Sequence, residues 1–379
     1  MLIELLYNQT GIYLLYSRLF STALATIMSF FVAMLLFPPY IRLLRKFSFS
    51  SELDPNNFKH DPVMPAGALF LIIILLTTLV TARFNSYVIS ALIIYTFFGI
   101  IGTVDDVAKA VNKRKLAQGL ITKQDYQYKS DGISSGLRLW LYIGISFAVA
   151  FAAYKFIPNI NGHITLPFFS IHKHFPYLPF WVFIPMMAFA IAVLANGVNF
   201  TDGFDTLAAV PLITCYIFVG LISYISSNAV WAKYLLIPFI PGIDEILPLI
   251  GAAIGALLAF LWFNSPPSSI IMGDSGAVGL GGMMAIMFVF VKAEFYLPIV
   301  GFIFIIEFLS DIIQISWFKL TKKRIFRMAP IHHHFQINMQ NNPFYGGNKF
   351  FIKSKIAWRF HIISAILLVV GLILFFKMH

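Results

Sequence analysis

Charge is what this sequence has least of. Only 11% of its 379 residues are Asp, Glu, Lys or Arg, and 59% are hydrophobic. An ordinary soluble domain carries about a quarter charged residues, so a soluble globular chain is excluded on both counts. A single cysteine, Cys215, rules out an internal disulfide, and its setting (PLITCYIFVG) reads as a small buried hydrophobe. No repeat at solenoid periods and no low-complexity stretch is present. The first apolar run lacks a basic leader and continues to spanning length, which argues against a cleavable signal. Acids are the scarcer charge, 16 against 27 Lys and Arg, so wherever they gather is informative.

What is present is apolar sequence in spanning lengths. Mean hydropathy is +0.82, and windows of about 20 apolar residues recur throughout. About ten spans are expected, near 19–41, 66–82, 87–104, 139–157, 180–196, 207–226, 247–263, 276–292, 296–318 and 356–376. The expectation is an all-α polytopic membrane protein forming one domain over 1–379. The net charge of +11 is then read as orientation rather than as nucleic-acid binding, and no nucleic-acid partner is expected. Alternate loops hold most of the basic residues, including Arg42, Lys59, Lys109, Arg138, Lys319, Arg324, Arg327 and Lys353. Those loops should face the cytoplasm, with both termini on the external, periplasmic side.

Acids and amides gather at the same depth. Span three ends in GTVDDVAK with Asp105, Asp106 and Lys109. Span five ends in NGVNFTDGFDTLA with Asn196, Asn199, Asp202 and Asp205. Span seven leads through Asn264 into MGDSGAVGLGG with Asp274, and span nine leads into RMAPIHHHFQ. Such a coincidence argues for one site at the cytoplasmic face. Neighbouring acids repel unless a cation sits among them, and Asp with Asn suits Mg²⁺, which keeps waters and takes one or two carboxylates plus substrate phosphates. Singly, each group has a plainer reading. Asp202 and Asp205 could cap a helix or make a turn, and the glycines after Asp274 could only permit close packing. GDSGAVGLGG also lacks the lysine and spacing of a phosphate loop.

Glu307, Asp311 and Gln314 share one helical face of span nine, as a cavity lining or as interhelical bonding. Three adjacent histidines, His332, His333 and His334, cannot converge on one ion. Beside Arg324 and Arg327 they are better placed to donate to phosphates.

In order along the chain, VDDVAK (104–109), NGVNFTDGFDTLA (196–208), FLWFN (260–264), MGDSGAVGLGG (272–282) and FKLTKKRIFRMAPIHHHFQ (318–336) resemble the phospho-N-acetylmuramoyl-pentapeptide transferase family. That family belongs to the polyprenyl-phosphate sugar-1-phosphate transferases. The resemblance implies a ten-span homodimeric enzyme of the bacterial cytoplasmic (inner) membrane. It implies Mg²⁺-dependent transfer of phospho-MurNAc-pentapeptide from UDP-MurNAc-pentapeptide to undecaprenyl phosphate, giving lipid I and UMP. By motif, Asp274 resembles the Mg²⁺ ligand, with Asn199 a second candidate, and Asp105 resembles the acid that assists the lipid phosphate. Asp106 and Lys109 match neighbouring catalytic positions, and His333 and His334, with His332, match the histidines near the phosphates. Asn196, Asn199, Asp202, Asp205, Asn264 and Gln314 match groups lining the nucleoside and sugar pocket. The first cytoplasmic loop departs from the pattern. The family carries a lysine followed by Thr-Pro-Thr-Met-Gly-Gly, whereas residues 59–68 read KHDPVMPAGA, so Lys59 stands without the hydroxyls. Direct attack by the lipid phosphate is favoured, and a covalent route through Asp105 stays open. Two rivals remain. One is a sister transferase moving another sugar-1-phosphate such as GlcNAc-1-phosphate. The other is an ion-coupled transporter, which would place its groups at midplane and often in repeats.

Overall fold

The structure, a computed structural model, describes residues 2–46, 64–120, 133–166, 176–345 and 348–376. Lys59, among the expected site residues, lies outside the described residues. In chain order the helices are α1 (Leu2–Thr10), α2 (Arg18–Lys46), α3 (Gly67–Thr81), α4 (Ser86–Ala117), α5 (Ser135–Phe156), α6 (Phe180–Thr201) and α7 (Ala209–Ser226). They continue as α8 (Ala229–Tyr234), α9 (Leu247–Asn264), α10 (Gly273–Phe290), α11 (Leu297–Val300), α12 (Phe302–Thr321), α13 (Ile331–Gln340) and α14 (Lys349–Phe376). Helices predominate because an apolar chain in lipid must satisfy its backbone polar groups within each segment. The one described sheet is a two-residue parallel pair, β1 (Met64–Pro65) with β2 (Ile270–Ile271).

Among the described residues eight helices are long and apolar enough to span a bilayer, or nine if one bent pair counts as a single span. All ten expected segments are helical, and two of them depart from a single straight span. The second expected span is α3, whose 15 residues cover about 22 Å, short of the roughly 30 Å hydrocarbon layer. The ninth, expected over 296–318, is broken: the segments Glu294–Val300 and Phe302–Thr321 meet at 83°. Gly301 stands at the break and its N–H still closes on Leu297 O at 2.8 Å. Both sides of the bend are apolar, so a hydropathy window runs through it unaware.

α10 is the axis of the molecule. Its apolar window is 94% buried, against 22% for α2 and 28% for α14. It packs on α3, α4, α6 and α7, and its glycines at 276, 279, 281 and 282 let those neighbours approach, the plainer of the two readings of the glycine run. Cys215 is buried, as expected. Because α10 is central, its first turn, which carries Asp274, sits at the middle of one end of the bundle. The carboxyl ends of α4, α6 and α9 and the amino ends of α5 and α14 come to that same end.

Candidate active site

The first turn of α10 starts without a local cap: Met272 occupies that position and makes no side-chain cap bond. Helix amino ends leave four backbone N–H groups unpaired, and here distant carboxylates take three of them. Asp202 Oδ2 accepts from Gly273 N–H at 3.2 Å, and Asp106 accepts from Asp274 N–H and Ser275 N–H, each at 3.2 Å. Ser275 Oγ adds a bond to Asp106 at 3.0 Å. Gly273 itself sits at φ +73°, with Asp106 Oδ2 only 2.9 Å from where a Cβ would stand. Anions at a helix amino end are favoured by its partial positive charge. Thus Asp106 and Asp202 fix the position of Asp274.

α4 runs on to Ala117 rather than ending near residue 104, so Asp105 and Lys109 are one turn apart on one helical face. Lys109 Nζ donates to Asp105 Oδ2 and to Asp274 Oδ2, both at 2.7 Å. Arg138 Nη1, from the first turn of α5, reaches the same two oxygens at 2.5 and 2.6 Å. Two carboxylates share two cations, four charges that sum to zero. Asp105 is fully buried, and its other oxygen accepts Ile133 N–H at 2.9 Å. Adjacent side chains on a helix diverge by about 100°, which explains why Asp105 faces α5 while Asp106 faces α10.

The donors around Asp274 are hard oxygens, and Asp274 Oδ1 has no cationic partner among the described residues. No three His, Cys, Asp or Glu side chains converge as a ready-made metal cage among the described residues. One free carboxylate oxygen beside further carboxylates fits Mg²⁺, which takes few protein ligands and completes its shell with water and phosphate.

The loop after α6 holds the next group. Burial raises the Asp202 carboxyl well above the usual carboxylate range, and the Gly273 N–H only partly opposes it. Asp205 is also raised by desolvation, against a 2.8 Å bond from Ser268 Oγ and the charge of Lys353. Asn264 is buried and spends both ends of its amide on backbone. Oδ1 accepts Thr206 N–H and Nδ2 donates to Ile270 O, both at 2.7 Å. It clips this loop to β2. Asn196 Nδ2 donates to Ala192 O within α6, Asn199 is half-buried one turn further on, and Gln314 Oε1 accepts Phe326 N–H at 2.9 Å.

The histidines lie on α13, with the His332 and His333 rings 4.2 Å apart and both against Phe204, and His334 turned towards Phe326. His332 Nδ1 donates to Glu307 Oε2 at 2.9 Å, with His332 1% and Glu307 0% exposed. Glu307 Oε1 and His332 Nε2 are left buried without partners among the described residues. A Cβ on Gly203 would overlap His332 Nε2, so glycine alone lets the Asp202–Asp205 loop touch the ring. His333 Nδ1 lies 3.1 Å from Gln336 Oε1, and desolvation, with His332 beside it, pushes its pKa down to about 4. His334 Nδ1 accepts Arg327 N–H at 3.1 Å. Its proton is therefore on Nε2, and the Asn338 amide 2.9 Å away must present oxygen to it.

Two clusters result, the Asp105–Lys109–Arg138–Asp274 set and the histidine set, joined through Asp202 and Gly203. Arg138 and Lys353 belong to the site although neither stood out in the sequence. Both were simply members of basic loops. Lys353 Nζ lies 5.3 Å from the Phe204 ring and within electrostatic reach of Asp205 and His333.

Residues 88–292, the stretch holding both aspartate clusters and Arg138, match glycosyl transferase family 4. This chain belongs to that family. A phospho-N-acetylmuramoyl-pentapeptide-transferase from a Nitratiruptor species is 35% identical over 357 residues, covering 92% of this chain and 92% of that protein. The chain is therefore an enzyme, a multi-pass glycosyl transferase family 4 protein of a bacterial inner membrane.

Proposed function

We propose that this family 4 protein transfers phospho-MurNAc-pentapeptide from UDP-MurNAc-pentapeptide to undecaprenyl phosphate, giving lipid I and UMP. The likeness to the Nitratiruptor protein over 92% of the chain carries the choice of donor. The observation that carries the chemistry is the zero-charge set of Asp105, Asp274, Lys109 and Arg138 at the amino end of the central helix.

Exchange of one phosphate ester for another needs charge neutralisation and alignment more than a strong base. Lys109 and Arg138 can turn from the carboxylates to the donor's diphosphate oxygens, because each already bridges two anions. Asp274, with Asp105 beside it and Asn199 as a further candidate, would hold Mg²⁺, which when bound supplies charge neutralisation at the diphosphate. Asp106 and Asp202 keep Asp274 in place through the helix amino end. Asp105 has no exposed surface and one of its oxygens stays on Ile133 N–H, a poor state for a covalent nucleophile. This supports direct attack by the lipid phosphate, already an anion near neutral pH because its second pKa is about 6, by analogy with a phosphorylated side chain. Asp205, Lys353 and His333 line the side reached through Gly203, where the sugar-peptide portion would lie. In this reading the basic loops, and the site with them, face the cytoplasm, and the enzyme works as a homodimer.

The test is turnover by purified protein in detergent with undecaprenyl phosphate and Mg²⁺, the donor being either UDP-MurNAc-pentapeptide or UDP-GlcNAc. UMP release with the first and not the second is expected. Release with UDP-GlcNAc alone would transfer the assignment to a sister activity of the same family.

A further inference from the structure

Thr206 closes the Asp202–Asp205 loop in a conformation that its side chain disfavours. Its φ is +66°, a region that β-branched residues adopt only when their surroundings impose it. Two buried side chains do the imposing. Asn264 Oδ1 accepts Thr206 N–H at 2.7 Å, and His361, on α14, donates Nε2–H to Thr206 O at 3.0 Å. His361 is only 8% exposed and lies 155 residues from Thr206 in sequence. Packing does not hold Thr206 from the His361 side. A cavity of about 450 Å³ lies there, lined by Thr206, Val210, Leu261, Pro266, Trp358 and His361 among others. The hydrogen bond spans the edge of that cavity and takes over the work of close packing.

We propose that His361 is a positioning residue, which latches Thr206 in its left-handed conformation and so fixes Asp205 and its neighbours for the sugar-nucleotide donor. The inference rests on reading the Asp202–Asp205 loop as part of the donor site. Asp205 immediately precedes Thr206 and is held from the other side by Ser268 Oγ. Release of Thr206 would let Asp205 and Gly203 move together, and Gly203 is in contact with the His332 ring. The latch acts on donor placement, before chemistry, so its loss should appear in KM rather than in kcat.

His361→Leu, His361→Gln, Thr206→Gly and the double variant Thr206→Gly/His361→Leu test this. Deuterium exchange of the peptide spanning 202–208 is measured alongside kinetics with varied UDP-MurNAc-pentapeptide. His361→Leu should raise exchange in that peptide and raise the donor KM about five- to ten-fold, the loss expected of one hydrogen bond, with kcat nearly unchanged. His361→Gln, which keeps a donor near the Nε2 position, should restore both. With glycine at 206 the left-handed conformation carries no side-chain penalty, so adding His361→Leu should then cost about two-fold or less. Unchanged exchange in His361→Leu, a fall in kcat alone, or an undiminished effect on the Thr206→Gly background would overturn the latch. Absence of turnover in the unmodified protein would overturn the proposed function alone, and the exchange comparison would still decide the latch.

Discussion

Replacing Arg138 by methionine removes one of two cations from a set that is balanced only as a whole. Two carboxylates and two cations sum to zero, and the variant leaves Asp105 and Asp274 sharing Lys109 with one uncompensated negative charge. Deleting one partner of a fully buried ion pair costs about 3–5 kcal/mol. Arg138 and Asp274 side chains keep 18% and 15% exposure and Lys109 remains, so the expected loss is lower, about 2–3 kcal/mol. Turnover should fall about 100-fold, the scale for removing one donor that neutralises transferring charge. Arg138→Lys discriminates. Both carboxylate contacts run through the single atom Nη1, so a point charge can reproduce them without the planar fork. The lysine variant should keep stability within about 1 kcal/mol and activity within about ten-fold. Urea unfolding in one fixed detergent, with initial rates of UMP release, reads both quantities. A methionine variant as stable and active as the parent would refute the shared-cation account. A lysine variant as damaged as the methionine one would refute the single-nitrogen argument.

Three further outcomes are expected. Asp274→Asn should lower turnover by at least about 100-fold while leaving the fold intact, and near-parental UMP release would mean that Asp274 is not the cation ligand. Gly203→Ala drives a methyl into a ring that is 1% exposed. It should cost about 1–3 kcal/mol by overpacking and disturb the His332–Glu307 pair, whereas unchanged unfolding would show that the loop has slack. His333 has its pKa lowered from 6.5 to about 4, so the folded state favours the neutral ring. Its contribution is complete above pH 6.5 and is lost as pH falls towards 4. His333→Gln should flatten the acid side of a stability-against-pH curve, and an identical slope in both proteins would contradict the burial argument.

The positions of the spans and the shared depth of Asp105, Asp202, Asp274 and the histidines were legible in the sequence. Apolar runs and alternating basic loops are properties that a linear reading can see. The bend at Gly301 was not, because hydropathy is the same on both sides of it. Nor was the capping of α10, since capping rules look at the residue beside the helix and Met272 gives no signal. The capping oxygens come instead from Asp106 and Asp202, far away in the chain. Arg138 was hidden for a different reason: a cation in a basic loop is indistinguishable from its neighbours until its partners are known. His332 was visible as one of three equals, and only its burial against Glu307 separates it from His333 and His334. Thr206 carried no signal at all, since its meaning lies in a backbone angle and in a histidine on the last helix.

The mass of the lipid product tests the proposed transfer most directly. Purified protein is supplied with UDP-MurNAc-pentapeptide, undecaprenyl phosphate and Mg²⁺, and the lipid is extracted and weighed by mass spectrometry. The expected product is undecaprenyl diphosphate bearing MurNAc-pentapeptide, formed in equal amount with UMP and absent with Asp274→Asn. Unchanged undecaprenyl phosphate beside intact donor, from folded protein, would contradict it.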